Sequence, residues 1–342
     1  MVPEDVPFNK TSRVSAVMKK IGILHGRETV FPSTLAERIN CLQPQGIHAE
    51  PIRIDKLLMG QQPEYDVLLD RISHDVPFYR ALLKHAALNG TAVCNNPFYL
   101  STEEKFMANV IASRIGVPVP KTALIPSNQH PPDTDEFSFR NLVMPLDWDS
   151  IFTYVGFPAY MKPHSGGGWK SVMRVNNPDE FFRLHQTTGQ LVMMLQEAIE
   201  FEAYFRCYCI GQSQVHIMPY EPRNPHHLRY VASFKVPTSI TDLIREYCIL
   251  LNTALGYDFN TVEFAVRQGI PYAIDFTNPA PDCDPESVGR ENFLWVVEAA
   301  ARMLIEKAQE HQPGHDNLTW GTFLRTAMEG NLICRANLIT TA

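Results

Sequence analysis

Between residues 21 and 96, short apolar runs alternate with longer amphipathic ones, and this alternation limits the folds open to the chain more than any other feature. Ile21-Gly22-Ile23-Leu24 reads as a first strand, followed by a loop, HGRETVFPST. LAERINCLQ reads as a helix and AEPIRI as a second strand. YDVLLDRIS is a third strand with Asp70-Arg71 at its carboxyl end. VPFYRALLKHAALNG is an amphipathic helix stopped by Gly90, and TAVCNN is a fourth strand. Strands that alternate with helices specify a parallel α/β sheet. Ligands of such sheets gather at the carboxyl ends of the strands. His25, Arg27, Glu28 and Arg71 lie there, each also explicable as a solvated loop residue.

The chain continues for 342 residues, room for two or three domains at roughly 100–200 residues each. Ser101-Thr102-Glu103-Glu104 reads as the N-cap and acidic first turn of a helix that carries Lys105 and runs to Gly116. VPVPKTALI is extended, and residues 126–150, rich in Pro, Asp and Ser, read as an insert or linker. From Pro158 the pattern turns β-rich. AYMKP and SVMRV form a hairpin around a glycine run, NPDEFFRLHQTTG is a helix, and LVMMLQEAI, FEAYFRCYCIG and QVHIMPYEP are strands. SITDLIREYCILLNTALG is a periodic helix closed by Gly256, TVEFAVRQGIPYAIDF a hairpin turning at Gln268-Gly269, and ENFLWVVEAAARMLIEKAQE a last helix. The expected class is α/β at the N-terminus and α+β in the C-terminal half.

Net charge is −7, which argues against nucleic acid or an anionic membrane as the main partner. No apolar run is long enough to span a bilayer, and the N-terminus lacks the apolar core of a secretion signal. Seven scattered cysteines suit reduced thiols in a cytoplasm. Cys207 and Cys209 share one face of a strand and are expected to pack rather than bind metal.

Three groups in the second half carry chemistry. The first is KPHSGGGWKSV: Lys162 on a strand, then Gly166, Gly167 and Gly168. A P-loop needs Gly directly before its Lys-Ser pair and a second Gly five residues earlier, and Trp169 and His164 stand there instead. Glycines still let backbone N–H groups approach a phosphate, and a flexible loop can close over it. The competing reading is a plain flexible hairpin. The second group is Gln196-Glu197-Ala198-Ile199 at a strand end, with Glu202 beyond it. Exposed backbone there suits a purine edge and a carboxylate suits a ribose; ordinary solvated acids are the alternative. The third is Glu263 on one arm of the last hairpin with Asp275 and Asn278 on the other. Embedded acids are costly unless paired or bound to a cation, so the readings are hard oxygen ligands for Mg2+ or salt bridges to Arg206 or Arg229. A plain two-residue turn sets Glu263 opposite Ile274. A three-residue loop or a bulge sets it opposite Asp275, as shared metal binding requires. His226-His227, in a Pro/Asn loop, read as solvent-facing.

Taken together, this order of motifs resembles the ATP-grasp superfamily of carboxylate–amine ligases, over roughly residues 20–305. It is most similar to the branch holding the ribosomal-protein S6 glutamate ligase, the D-alanine–D-alanine ligases and glutathione synthetase. Glu104-Lys105 before a helix ending RIGVPVPKT, KPHSGGGWKSV, and LQEAIEFEAYFRCYCIG carry the likeness. So do Asp70-Arg71-Ile72 and Cys94-Asn95-Asn96. The resemblance implies an N-terminal parallel α/β unit at 19–98, ATP-grasp subdomains at 99–190 and 191–311, and a tail at 312–342. It implies Lys105 and Lys162 on the nucleotide phosphates, residues 166–168 capping them, Gln196, Glu197 and Ile199 at adenine, and Glu202 at ribose. Lys235 would add positive charge, and Arg206 would face the γ-phosphate or acyl phosphate. Glu263, Asp275 and Asn278 would hold Mg2+, with Mn2+ as a substitute. The chain departs from the family in having Asp275-Phe276-Thr277-Asn278 where Glu-x-Asn is usual, so either Thr277 or Asn278 takes the amide's place. The implied reaction is ADP-forming amide synthesis from small-molecule substrates, an amino acid or peptide. Arg27, Arg71, Arg206 and Arg229 are candidates to clamp a carboxylate. The alternatives are a nucleotide-binding protein without ligase activity and a kinase that stops at the phosphorylated acid. A homodimer is the base-rate expectation.

Overall fold

The computed structural model describes residues 18–42, 46–98, 104–232 and 235–312. Its first sheet is parallel: β1 (Lys19–Leu24), β2 (Ile47–Pro51), β3 (Val67–Asp70) and β4 (Ala92–Cys94), in the order β2-β1-β3-β4. Side chains alternate across it. Ile21, Ile23 and Leu69 pack towards α1 (Val30–Cys41), whereas Leu24, Leu68 and Val93 pack towards α2 (Pro77–Leu88). α1 begins within the segment expected to be a loop. Phe31 is fully buried in its first turn, and Pro32 is tolerated there because that turn has no intrahelical acceptor for its N–H. The connection after β1 shrinks to residues 25–29.

The second sheet is antiparallel. After α3 (Lys105–Arg114) come β5 (Thr122–Ile125), α4 (Trp148–Val155), β6 (Ala159–Pro163), β7 (Met173–Val175), α5 (Pro178–His185) and β8 (Met193–Glu197), with strand order β5-β8-β6-β7. The expected N-cap at Ser101–Glu103 falls outside the described residues; Glu104 flanks α3, without a side-chain cap. α4 starts inside the expected linker. Asp147 caps it, accepting from the Ser150 N–H at 3.1 Å and its hydroxyl at 2.7 Å. Trp148 meets the Phe181 ring at a tilt and Phe152 meets it edge-on, so this helix roofs the sheet's core. β8 pairs with both β5 and β6, so the second sheet runs on to Glu197, past the division expected at 190.

The third sheet, also antiparallel, contains β9 (Ala203–Ile210), β10 (Gln214–Pro219), β11 (Phe259–Arg267) and β12 (Ile270–Asp275), in the order β10-β9-β11-β12. α6 (Thr238–Leu255) precedes β11 and ends on Gly256 in the left-handed conformation a C-terminal glycine supplies. One face of the sheet, with Phe205, Cys207, Cys209, Val262 and Phe264, packs against Ile244, Cys248 and Leu251 of α6, so the two cysteines pack as expected. The other face carries Tyr204, Arg206, Tyr208 and Glu263. α7 (Pro285–Val288) and α8 (Arg290–Glu310) follow. Val296, Ala300 and Leu304 of α8 share one core with Ile21 and Leu35 of the first layer and with Tyr208 and Phe259 of the third sheet. Asn95 adds a polar clamp: its amide donates to Phe259 O and accepts from the N–H groups of Asp258 and Phe259.

Candidate functional site

The acids come together through a turn and a bulge acting in succession. Gln268 and Gly269 form a two-residue turn with φ of 52° and 74°, the left-handed pair that matches strand twist in a hairpin. Pairing runs regularly from Arg267↔Ile270 to Phe264↔Ala273, then shifts so that Glu263 faces Asp275. Ile274 is the extra residue of this bulge, and bulges re-aim side chains.

Charged groups converge on this pair. Lys105, at the start of α3, bonds Asp275 Oδ1 at 2.9 Å, and the Lys105 N–H donates to His164 O at the base of the glycine loop. Lys162 of β6 donates to the Ile274 carbonyl at 3.3 Å. Glu263 accepts from the Tyr204 hydroxyl at 2.6 Å and lies 3.6 Å from Arg206 Nη1. Burial raises the Glu263 carboxyl above its usual value against the pull of Arg206. Burial also acts to raise Asp275, but the ammonium groups of Lys105 and Lys162 outweigh it and hold that carboxyl low. Desolvation lowers Lys162 to about 8, Asp275 opposing it and Lys105 adding to it. In this state Glu263 has the salt bridge to Arg206 that its alternative reading demanded; Asp275 takes Lys105 instead, and Arg229 pairs with neither acid.

Asn278 donates its amide N–H to Thr261 Oγ1 at 2.9 Å, which leaves its amide oxygen as the group to offer a cation. Thr277 Oγ1 is buried without a hydrogen-bond partner and lines a cavity of about 10 Å³ with Lys105, Asn109, Lys162 and Asp275. Two carboxylates, an amide oxygen and a hydroxyl form a hard-oxygen donor set that fits Mg2+. Among the described residues, no group of three or more His, Cys, Asp or Glu side chains could hold a metal.

The glycine loop lies between β6 and β7. Gly166, Gly168, Trp169 and Ser171 all have positive φ, and a Cβ at Gly166, Gly167 or Gly168 would meet nothing within 4 Å. At the strand end, Gln196 is buried and donates to Thr122 Oγ1, a structural bond. Glu197 pairs with Arg267 at 2.8 Å, and Ile199 is buried. Glu202 is exposed and accepts from the Gly269 N–H. Lys235 is exposed just ahead of α6.

The arginine candidates separate. Arg27 is exposed on the loop after β1. Arg71 is buried, forks onto Glu28 at 2.7 and 2.9 Å, donates to Pro281 O, and lies over Phe31 and Phe259. It thus ties the first sheet to the segment after β12, with Nη1 left unpartnered. Arg229 lies over the Trp169 ring at 5.5 Å. His226 and His227 are exposed. Tyr204, Arg267 and Trp169 were not among the residues singled out from sequence. Strand alternation puts Tyr204 on the face of Arg206, which was the one available signal.

Solved structures share this architecture along most of the chain. The D-alanine–D-alanine ligase of Bacillus anthracis in complex with ATP superposes with a TM-score of 0.58 at 16% identity, covering 85% of this chain and 97% of that one. A RimK-domain ATP-grasp protein of Sphaerobacter thermophilus gives 0.58 at 15% identity, covering 85% and 99%. The chain has the ATP-grasp fold. The VanG D-Ala:D-Ser ligase of Enterococcus faecalis, at TM-score 0.59 and 13% identity over 85% and 99%, shares that fold. No family model matches the sequence, and no curated protein does. In this ATP-grasp fold the glycine loop belongs to the second sheet and the acids to the third. Among the described residues, no helix is long and apolar enough to cross a membrane.

Proposed function

We propose that the protein is an ATP- and Mg2+-dependent ligase that activates a carboxylate as an acyl phosphate and joins it to an amine. The observation that carries this reading is the register of Glu263 against Asp275, with Lys105 on Asp275 and Lys162 on the bulge carbonyl beside it. The lysines leave the acid and the carbonyl for the phosphates when nucleotide arrives. Residues 166–168 cover the phosphates, Glu197 and the Ile199 backbone hold adenine on a strand braced by Gln196, and Glu202 takes the ribose. Lys235 adds charge at the rim. Glu263, Asp275 and Asn278 hold Mg2+ or Mn2+, which when bound neutralises charge on phosphate oxygens.

A substrate carboxylate oxygen bonds the γ-phosphorus as the bond to the ADP oxygen breaks, with Arg206 and Lys162 offsetting the charge. The amine nitrogen then bonds the acyl carbon, phosphate departs with its oxygen, and the amine loses a proton. Alignment, charge and exclusion of water carry the rate. The similar solved proteins are ligases of D-alanine and of D-alanine with D-serine, together with PsnB, an ATP-grasp ligase solved with a minimal precursor, Mg and ADP, which supports an amino acid or peptide as substrate. Arg27, and Arg71 through its free Nη1, are the carboxylate contacts on the first sheet. The units expected at 19–98, 99–190 and 191–311 then supply the substrate side, the glycine-rich loop, and the hinge with the metal site. Work in a reducing cytoplasm fits six free thiols among the described residues.

The test supplies ATP, Mg2+ and pools of amino acids and peptides, and measures phosphate and product mass. Phosphate release that needs both an acid and an amine, with a product lighter than their sum by one water, supports the ligase. Nucleotide binding without turnover in any pool overturns it. The altered Asp-x-x-Asn motif favours that non-catalytic reading. Hydroxylamine capture of an activated acid without amide would favour a kinase.

A further inference from the structure

Trp169 and Arg229 make a contact for which the proposed chemistry has no use. Trp169 ends the glycine run with a left-handed φ of 60°, between Gly168 at 71° and Ser171 at 55°. The residue is 51% exposed, yet its ring meets the Arg229 guanidinium at 5.5 Å. The glycines before it have open space at every Cβ position, so no packing at those positions holds the run. Trp169 belongs to the loop of the second sheet, whereas Arg229 follows β10 of the third, so the stack crosses the gap between the two.

Arg229 is built as a fixed partner. Its Nε donates to Asn224 O at 3.1 Å, and Nη1 donates to the Tyr220 hydroxyl at 3.4 Å. Tyr220 is buried, and its ring lies 5.7 Å from the Arg206 guanidinium, which pairs with Glu263. The position of the indole is thereby linked through packed groups to the acids. Tryptophan is the strongest cation–π partner among the aromatic residues, and a planar guanidinium held by two hydrogen bonds presents a flat face that an ammonium lacks.

We infer that Trp169 is the latch of the glycine-rich lid and Arg229 its dock, a pair of positioning residues that hold the lid over the phosphates. The role in water exclusion rests on the ligase reading; the latch itself does not. An acyl phosphate waiting for its amine is consumed by any water that enters, so the docked fraction of the lid sets the partition between amide and wasteful hydrolysis. Arg229 on this account is spent on the lid and not on the substrate carboxylate.

The experiment has two arms on the full chain. In the first, without nucleotide or substrate, trypsin cleavage after Lys170 is timed in wild type, Trp169→Ala, Trp169→Phe and Arg229→Ala, with Arg229→Lys as the gentler variant should Arg229→Ala unfold. Loss of one half-exposed cation–π contact predicts cleavage about threefold faster in Trp169→Ala and Arg229→Ala, largely restored in Trp169→Phe. Wild-type rates in both alanine variants overturn the latch. In the second arm, amide formed per phosphate released is measured under turnover. Trp169→Ala is expected to lower that ratio with the KM for ATP little changed, and Trp169→Phe to recover it. Faster cleavage with an unchanged ratio overturns the water-excluding role. Faster cleavage with no turnover in wild type refutes the ligase reading and leaves the latch standing.

Discussion

The β6–β7 hairpin is joined by residues 164–172, with left-handed backbone at Gly166, Gly168, Trp169 and Ser171. The β11–β12 hairpin is joined by Gln268 and Gly269 alone. The first has open space around each of its three consecutive glycines. The second packs one face on α6 and fixes two side chains opposite each other on the other face. Glu263 is buried and must be held in one geometry, because an acid that loses its partner away from water costs several kcal/mol, about 3–5 for a broken buried pair. If the loop covers a nucleotide, as proposed, it must instead move, and the stack of Trp169 on Arg229 is the contact we assign to hold it.

The largest expected effect falls on the rigid hairpin. Asp275→Asn and Glu263→Gln are each predicted to lower substrate-dependent phosphate release by about 10²–10³-fold, the loss typical of a transition-state charge contact. The amide introduced by Glu263→Gln can still accept from the Tyr204 hydroxyl, so far-UV circular dichroism should remain native; retained turnover in either variant would break the contrast.

Lys162 links the two hairpins and is predicted to come next in size. Its pKa near 8 in the free protein lies below the ordinary lysine value of 10.5. ADP affinity should therefore weaken several-fold as pH rises from 7 to 9.5, and calorimetry should show no such slope in Lys162→Met. The stability effect has the opposite sign. Between pH 8 and 10.5 the unfolded chain holds more protons at this site, so the group's contribution to stability grows as pH rises. Lys162→Met is expected to melt higher than wild type at pH 7.

The two kinds of glycine should then part company. Gly269→Val places a branched side chain at a φ of 74° and should cost about 1–2 kcal/mol in denaturant unfolding. Gly167→Ala adds a methyl in open space, and its stability should stay within about 0.5 kcal/mol of wild type. Equal costs at the two positions would remove the distinction between rigid and loose hairpins.

Most of the fold was legible because periodicity survives in each element. The four parallel strands, α6 with its Gly256 stop, and both hairpins follow from it. Two helix starts were not. Val30–Thr34 looked like loop because Pro32 and Ser33 carry turn chemistry, and burial of Phe31 overrode it. Trp148 opens α4 inside a Pro- and Asp-rich stretch whose Asp147 proved to be a cap. At the site, residue types were readable but register was not. A bulge moves one residue without disturbing the apolar pattern, so the alternatives at Glu263 stayed open until pairing was seen. Arg71 reads as a substrate clamp, and its pairing with Glu28, distant in sequence, emerges only when the loop after β1 meets the end of β3.

The central claim is that Lys105, Lys162, Glu263 and Asp275 enclose one magnesium–nucleotide complex, and calorimetry of ADP binding with and without Mg2+ tests it most directly. The prediction is that Mg2+ tightens ADP binding at least tenfold in wild type, and that Glu263→Gln combined with Asp275→Asn abolishes the tightening while ADP alone still binds. An identical Mg2+ effect in that double variant, or none in wild type, would contradict it.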